Sequence, residues 1–140
     1  MKRLLLAECQ LVDIPLRAAV VPLQITVPDG GEDVRVEWSG GIETTNYLPS
    51  RFSVFQSKAQ NLTEGKIKTE ILTKARNKRS KSKPKLNDAV SEALSQHGSY
   101  VVFCSKPFTG QKLGKLRRTI EGVVQQTGAD QSHFAKDRYL

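Results

Sequence analysis

RFSVFQSKA, residues 51–59, is the stretch on which the fold turns. Its alternation reads as a β-strand, with Phe52, Val54, Gln56 and Lys58 on one side and Ser53, Phe55 and Ser57 on the other. The first side is apolar until Gln56, and then offers a polar acceptor and a cation in succession. A lysine on the inward side of a strand costs on the order of several kcal/mol unless it is paired or hydrated. An anion is therefore expected beside Lys58.

Upstream lies PDGGEDVRVEW, residues 28–38. Asp29-Gly30-Gly31 reads as a turn, because glycine accepts φ > 0 and Asp hydrogen-bonds its own backbone. From Asp33 the parity splits: Asp33, Arg35 and Glu37 point one way, Val34, Val36 and Trp38 the other. The β-branched run PLQITV, 22–27, predicts a further strand, and GGIETTNYLPS, 40–50, a loop. Before them LLLAECQLV, 4–12, predicts a short helix that Pro15 stops.

Downstream, LTEGKIKTEILTKA predicts a helix with Thr63 as N-cap and an apolar face at 67, 71 and 72. LNDAVSEALSQHG predicts another, capped by Asn87, burying Val90, Ala93 and Leu94 and closing at Gly98. SYVVFCS, 99–105, is nearly continuous in apolar residues and reads as a strand covered on both faces, with Cys104 a buried core thiol. QKLGKLRRTIEGVVQQTG, 111–128, is amphipathic through Leu113, Leu116, Ile120, Val123 and Val124, with Gly128 as its stop. The order (α)βββ, αα, β, α implies an α/β domain: a mixed sheet with helices on its faces. Residues 1–140 are expected to form one domain. The chain ends at HFAKDRYL, where another strand could begin, so an N-terminal module or fragment of a longer protein is expected.

The 140 residues carry a net charge of +8, which makes a polyanion the first partner to consider. Residues 1–57 hold 5 Lys/Arg against 7 Asp/Glu, and residues 58–140 hold 17 against 7. This asymmetry suits a cation held in one half and phosphates in the other, or an ordinary basic surface. Much of it comes from KARNKRSKSKPK, 74–85, in which Lys74, Arg76, Lys78, Arg79, Lys81, Lys83 and Lys85 surround no apolar residue larger than Ala. That composition predicts a flexible loop. It is either a solubilising segment or a contact to a phosphate backbone, extended by Arg117 and Arg118. Cys9 and Cys104 stand apart, with no CxxC pair, as in a reduced cytoplasmic protein, and His97 and His133 are isolated. The apolar run after MKR is too short for a membrane span.

The pairing of D-G-G-x-D at 29–33 with Q-x-K at 56–58, each on a predicted strand, resembles the PD-(D/E)xK restriction-endonuclease-like nucleases. Within that superfamily it is similar to the Mrr-like branch, which carries Q-x-K in place of E-x-K. The helix after Lys58 and the YVVF strand follow the family's core order. The resemblance, over roughly residues 25–125, implies a restriction-endonuclease-like core and a Mg²⁺-dependent endonuclease, with Mn²⁺ as a substitute. Its substrate would be double-stranded DNA, in a prokaryotic antiviral defence system, with homo-oligomers or additional domains as further partners. It makes Asp33 the metal-binding carboxylate, Gln56 the second ligand and Lys58 the catalytic lysine. Glu8 takes the place of a first-helix glutamate. Glu37, about 13 Å along the strand from Asp33, is too far to join them. Against this stands a plainer reading, in which Asp33 caps a turn and Lys58 ends a strand by reaching water. The alternatives are a non-catalytic nucleic-acid-binding module and an inactive nuclease-like interaction domain.

Overall fold

Helix α1 (Lys2–Leu11) opens the chain, and after Pro15 a single 3₁₀ turn (Leu16–Ala18) leads into the short strand β1 (Ala19–Val20). Then come β2 (Val34–Glu37), β3 (Phe52–Lys58), α2 (Glu64–Ile71), α3 (Asp88–Ser95), β4 (Ser99–Cys104) and α4 (Gly110–Thr127). The computed structural model describes residues 1–21, 32–73 and 83–129. The strand expected at 22–27, the Asp29-Gly30-Gly31 turn, most of the basic run and His133 lie outside the described residues.

The protein is α/β, with a mixed four-stranded sheet in the order β1-β2-β3-β4. β1, β2 and β3 pair antiparallel, and β4 pairs parallel to β3. Parallel pairing needs a long crossover, which α2 and α3 supply. One face of the sheet presents Val34, Val36, Phe55 and Val101, and Leu5 and Cys9 of α1 pack there with Ile14, Ala18 and Leu48. The other face presents Phe52, Val54, Tyr100 and Val102, covered by Ala89, Val90 and Ala93 of α3, Ile67 and Ile71 of α2, and Leu116 and Val123 of α4. Among the described residues, no helix is long and apolar enough to cross a membrane.

This arrangement interchanges two strands relative to the sequence reading. The doubly covered strand is β3, whose first five residues are all buried, whereas every residue of β4 is half-buried. The cause is sheet order. β3 has a partner on each side and helices on each face, while among the described residues β4 pairs only with β3. Cys104 is accordingly no core thiol; it is partly exposed, and its Sγ lies 3.3 Å from the Gln60 carbonyl.

The helix caps follow the sequence. Thr63 accepts from Lys66 N, Asn87 from Val90 N and Thr109 from Lys112 N, and Gly128 ends α4 in the left-handed conformation. The close of α3 differs: the left-handed residue there is His97, at φ 51°. Gly98 is needed for space instead. A Cβ at Gly98 would lie 2.7 Å from Phe52 Cδ1 and closer still to the Phe52 carbonyl oxygen. The chain after α2 is closed at its base by the Leu72–Leu86 bridge and by Thr73 N donating to Lys85 O at 2.9 Å. The Asn87 side chain also donates to the Glu70 carbonyl, so one buried amide joins the end of α2 to the start of α3.

Two glycine substitutions separate these roles. Gly98→Ala should lower the unfolding free energy by about 1–3 kcal/mol, the usual cost of overpacking, because backbone of the central strand cannot yield. Gly114→Ala, inside α4 with open space around it, should raise it by about 1 kcal/mol. Urea denaturation of the two variants measures both.

Candidate functional site

The polar residues singled out in the sequence emerge where β3 leaves its cover. Val54 is fully buried, Gln56 keeps 6% of its surface, Ser57 is exposed, and Lys58 is half-buried. Gln56 and Lys58 point to the face covered by α2, α3 and α4, in line with Phe52 and Val54. The buried Gln56 amide is satisfied within the sheet, its Oε1 accepting from the Tyr100 hydroxyl at 2.6 Å. Tyr100 is held alongside by the parallel register, two residues before Val102, which pairs with Gln56.

Asp33 stands just before β2, at a bend. Its N–H donates to Phe55 O at 2.8 Å, and its carboxylate Oδ2 accepts from the backbone N–H of Ser57. Asp33 thereby closes the β2–β3 ladder with a side chain, and it reaches β3 between Gln56 and Lys58. The plainer reading of Asp33 as a backbone cap describes one of its carboxylate oxygens.

Lys58 has an anion, and that anion belongs to the chain. Its Nζ lies 2.9 Å from Glu70 Oε2, and the two side chains keep 26% and 23% of their surface exposed. Sequence reading missed Glu70 because it weighed only the apolar face of that helix. One signal was available: a carboxylate in the last turn of a helix opposes the helix dipole and calls for a cation nearby.

Beside this group lies a second ionic cluster. Arg35 donates to Glu32 on its own segment at 3.0 and 2.8 Å and to Glu92 on α3 at 2.7 and 2.6 Å. Its guanidinium also sits 5.2 Å from the centre of the Phe52 ring. Its hydrogen bonds to Glu32 and then to Glu92 push the Arg35 pKa up, and the contact with Arg35 holds the Glu92 carboxyl below its ordinary value. With both forks of Arg35 engaged, this cluster fastens β2 to α3.

Glu8 is also nearly enclosed, at 6% exposure. It lies on α1, which packs through Leu5 and Cys9 on the opposite face of the sheet from Gln56 and Lys58. Its charge adds to burial in raising the Cys9 thiol pKa. Among the described residues, no three His, Cys, Asp or Glu side chains converge as a metal-holding group. The donors near Ser57 are nonetheless hard oxygens, from the Asp33 carboxylate and the Gln56 amide. That chemistry suits Mg²⁺, which binds through one or two carboxylates and keeps several waters. Of the predicted basic contacts, Lys83 and Lys85 are among the described residues, and Lys85 is an exposed side chain on the strap that closes against Thr73. Lys74, Arg76, Lys78, Arg79 and Lys81 lie outside them.

The Arg35 cluster sets a pH dependence. Because the folded Glu92 pKa is below its ordinary value of 4.5, its contribution to stability is present above that value and is lost as pH falls through the lower folded value. Glu92→Gln should therefore give a shallower loss of stability on acidification below about pH 4.5 than the wild type. Thermal melts in a series of acidic buffers measure the difference.

Compared with family models, with curated proteins and with solved structures, the chain matches none.

Proposed function

We propose that this protein is a metal-dependent endonuclease domain with a restriction-endonuclease-like core, hydrolysing phosphodiester bonds of double-stranded DNA in the cytoplasm as the effector of a prokaryotic defence system. One observation carries the reading. Gln56 and Lys58 leave the central strand in succession, and the Asp33 carboxylate meets the backbone N–H of the residue between them. An acidic oxygen, an amide oxygen and an ammonium thus flank a single exposed peptide at a strand end. The resemblance of the Q-x-K and D-G-G-x-D segments to Mrr-like nucleases supports the same chemistry.

In this reading the side chains divide the work. Asp33, with Gln56 as second donor, would hold Mg²⁺ or Mn²⁺; the ion, when bound, polarises the phosphate and lowers the pKa of a bound water. Gln56 Oε1 already accepts from the Tyr100 hydroxyl, and its second lone pair would serve as the donor. Lys58 meets the charge that builds on the phosphoryl oxygens, an interaction strongest in the transition state. The basic run 74–85 contacts the phosphate backbone without reading sequence. Glu8, the first-helix glutamate of the resemblance, is buried against the opposite face of the sheet and takes no part in this reading.

A second reading, a non-catalytic nuclease-like module that binds nucleic acid, is favoured by a specific observation. Gln56 Oε1, one Asp33 oxygen and the Lys58 ammonium each have a partner within the chain. A polar group that is internally satisfied needs no ligand to explain it.

Supercoiled plasmid with Mg²⁺, and with EDTA as control, separates the two. The endonuclease should nick the plasmid only with metal, and Asp33→Ala and Lys58→Ala should each abolish nicking while still binding DNA. Lys58→Ala leaves Glu70 without its cation in a partly hydrated position, so stability should fall by no more than about 1 kcal/mol. Gln56→Glu, which adds a charged oxygen donor, should tighten Mg²⁺ binding with nicking kept or enhanced. Binding without nicking by the wild type, with either metal, would establish the non-catalytic module instead.

A further inference from the structure

The Lys58–Glu70 pair is placed where a substrate anion would have to go, and its surroundings separate it from a casual surface bridge. Both side chains are about a quarter exposed, so the pair is reachable from solvent yet shielded from full screening. Glu70 is not free to wander. Its backbone carbonyl is held by the buried Asn87 side chain, and the next residue, Ile71, is buried and accepts at its own carbonyl from Asn87 N at 2.8 Å. Lys58 is equally fixed at its root, since its carbonyl accepts from Ser105 N at 3.2 Å and its Cα pairs with Cys104. Two anchored backbones thus present a carboxylate and an ammonium to each other at 2.9 Å. The carboxylate also occupies the last turn of α2, where the helix dipole disfavours a negative charge. Lys58 is the cation that offsets this.

We propose that Glu70 is the resident anion that a phosphodiester must displace from Lys58, which makes it a positioning residue that holds the ammonium ready and sets how strongly the site takes a phosphate. The inference rests on the nucleic-acid reading of the Asp33–Lys58 site, but not on that site being hydrolytic. A carboxylate and a phosphodiester oxygen are alternative acceptors for the same ammonium donors. With Glu70 in place, phosphate binding requires Lys58 to exchange or share its partner. With the charge removed, the ammonium is already open.

The test is a double-mutant cycle on affinity. Wild type, Glu70→Gln, Lys58→Ala and the double variant are titrated against a fluorescein-labelled DNA duplex by anisotropy, in EDTA and low salt. Glu70→Gln should tighten binding about three- to fivefold, the scale of a partly exposed ion pair. The gain should vanish in the Lys58→Ala background, and Glu70→Asp should behave as wild type. An unchanged affinity, no measurable binding by any of the four, or the same gain with and without Lys58 would each overturn the proposal, the last by showing a general charge effect. Should Glu70→Gln fail to fold, the wild type is followed by NMR instead. The Lys58 side-chain nitrogen resonance should then move on titration with dimethyl phosphate, and a static resonance would equally overturn the proposal. The charge-dependent gain without plasmid nicking would uphold the exchange and end the hydrolytic reading; nicking without the gain would do the reverse.

Discussion

Hydrogen-bonded on both sides and covered on both faces, β3 is the element around which the other parts of this protein are arranged. Its backbone groups are satisfied by an antiparallel neighbour and a parallel one, so no position along it is open to water until the cover ends. Phe52 to Gln56 are therefore small, apolar or internally bonded, and the first exposed peptide is that of Ser57. Charge accumulates there because the chain has nowhere else along this strand to put it. The same constraint explains Gly98. The turn from α3 into β4 passes so close to Phe52 that the central strand excludes a side chain.

A polar strand end of this kind can be stabilised in two ways, by solvent or by groups drawn from neighbouring elements. Here the second dominates. The ladder is closed by Asp33 instead of by backbone, the amide of Gln56 by Tyr100, and the ammonium of Lys58 by Glu70. Each donor or acceptor comes from a different part of the chain, so the group is tied at once to the start of β2, to β4 and to α2. A site assembled this way suits chemistry that depends on positioning, and equally a surface that exchanges internal partners for a ligand's.

Much of this was legible in the sequence, and the reasons for the rest are physical. Alternation located β2 and β3, and the caps at Thr63, Asn87 and Gly128 located three helix ends, because these signals depend only on near neighbours in the chain. Which strand was central depended on sheet order, which local pattern does not encode. SYVVFC looked the more buried, yet RFSVFQSK occupies the middle. The proximity of Asp33 to the Q-x-K segment was implied by the resemblance alone, and their partners were not anticipated. Glu70, Tyr100 and the Arg35–Glu92 link join residues 12, 44 and 57 positions apart; the first and last hinge on how helices sit over the sheet, and the second on the parallel pairing of β3 with β4. Lys58 was expected to need an anion, and the physical reasoning was sound. The anion is Glu70, from the same chain.

The strap at the base of residues 74–82 has an evolutionary consequence. Thr73 and Lys85 are tied by a backbone hydrogen bond, Leu72 and Leu86 form a bridge, and Asn87 locks both flanking helices. The clasp is built entirely from residues on either side of that segment. Lengthening a closed loop costs only the logarithm of its size, about 0.6 kcal/mol per doubling. A change in the number of residues between those fixed ends therefore adds little loop-closure cost to the fold. Selection acting on the length of that segment leaves the clasp's own bonds in place.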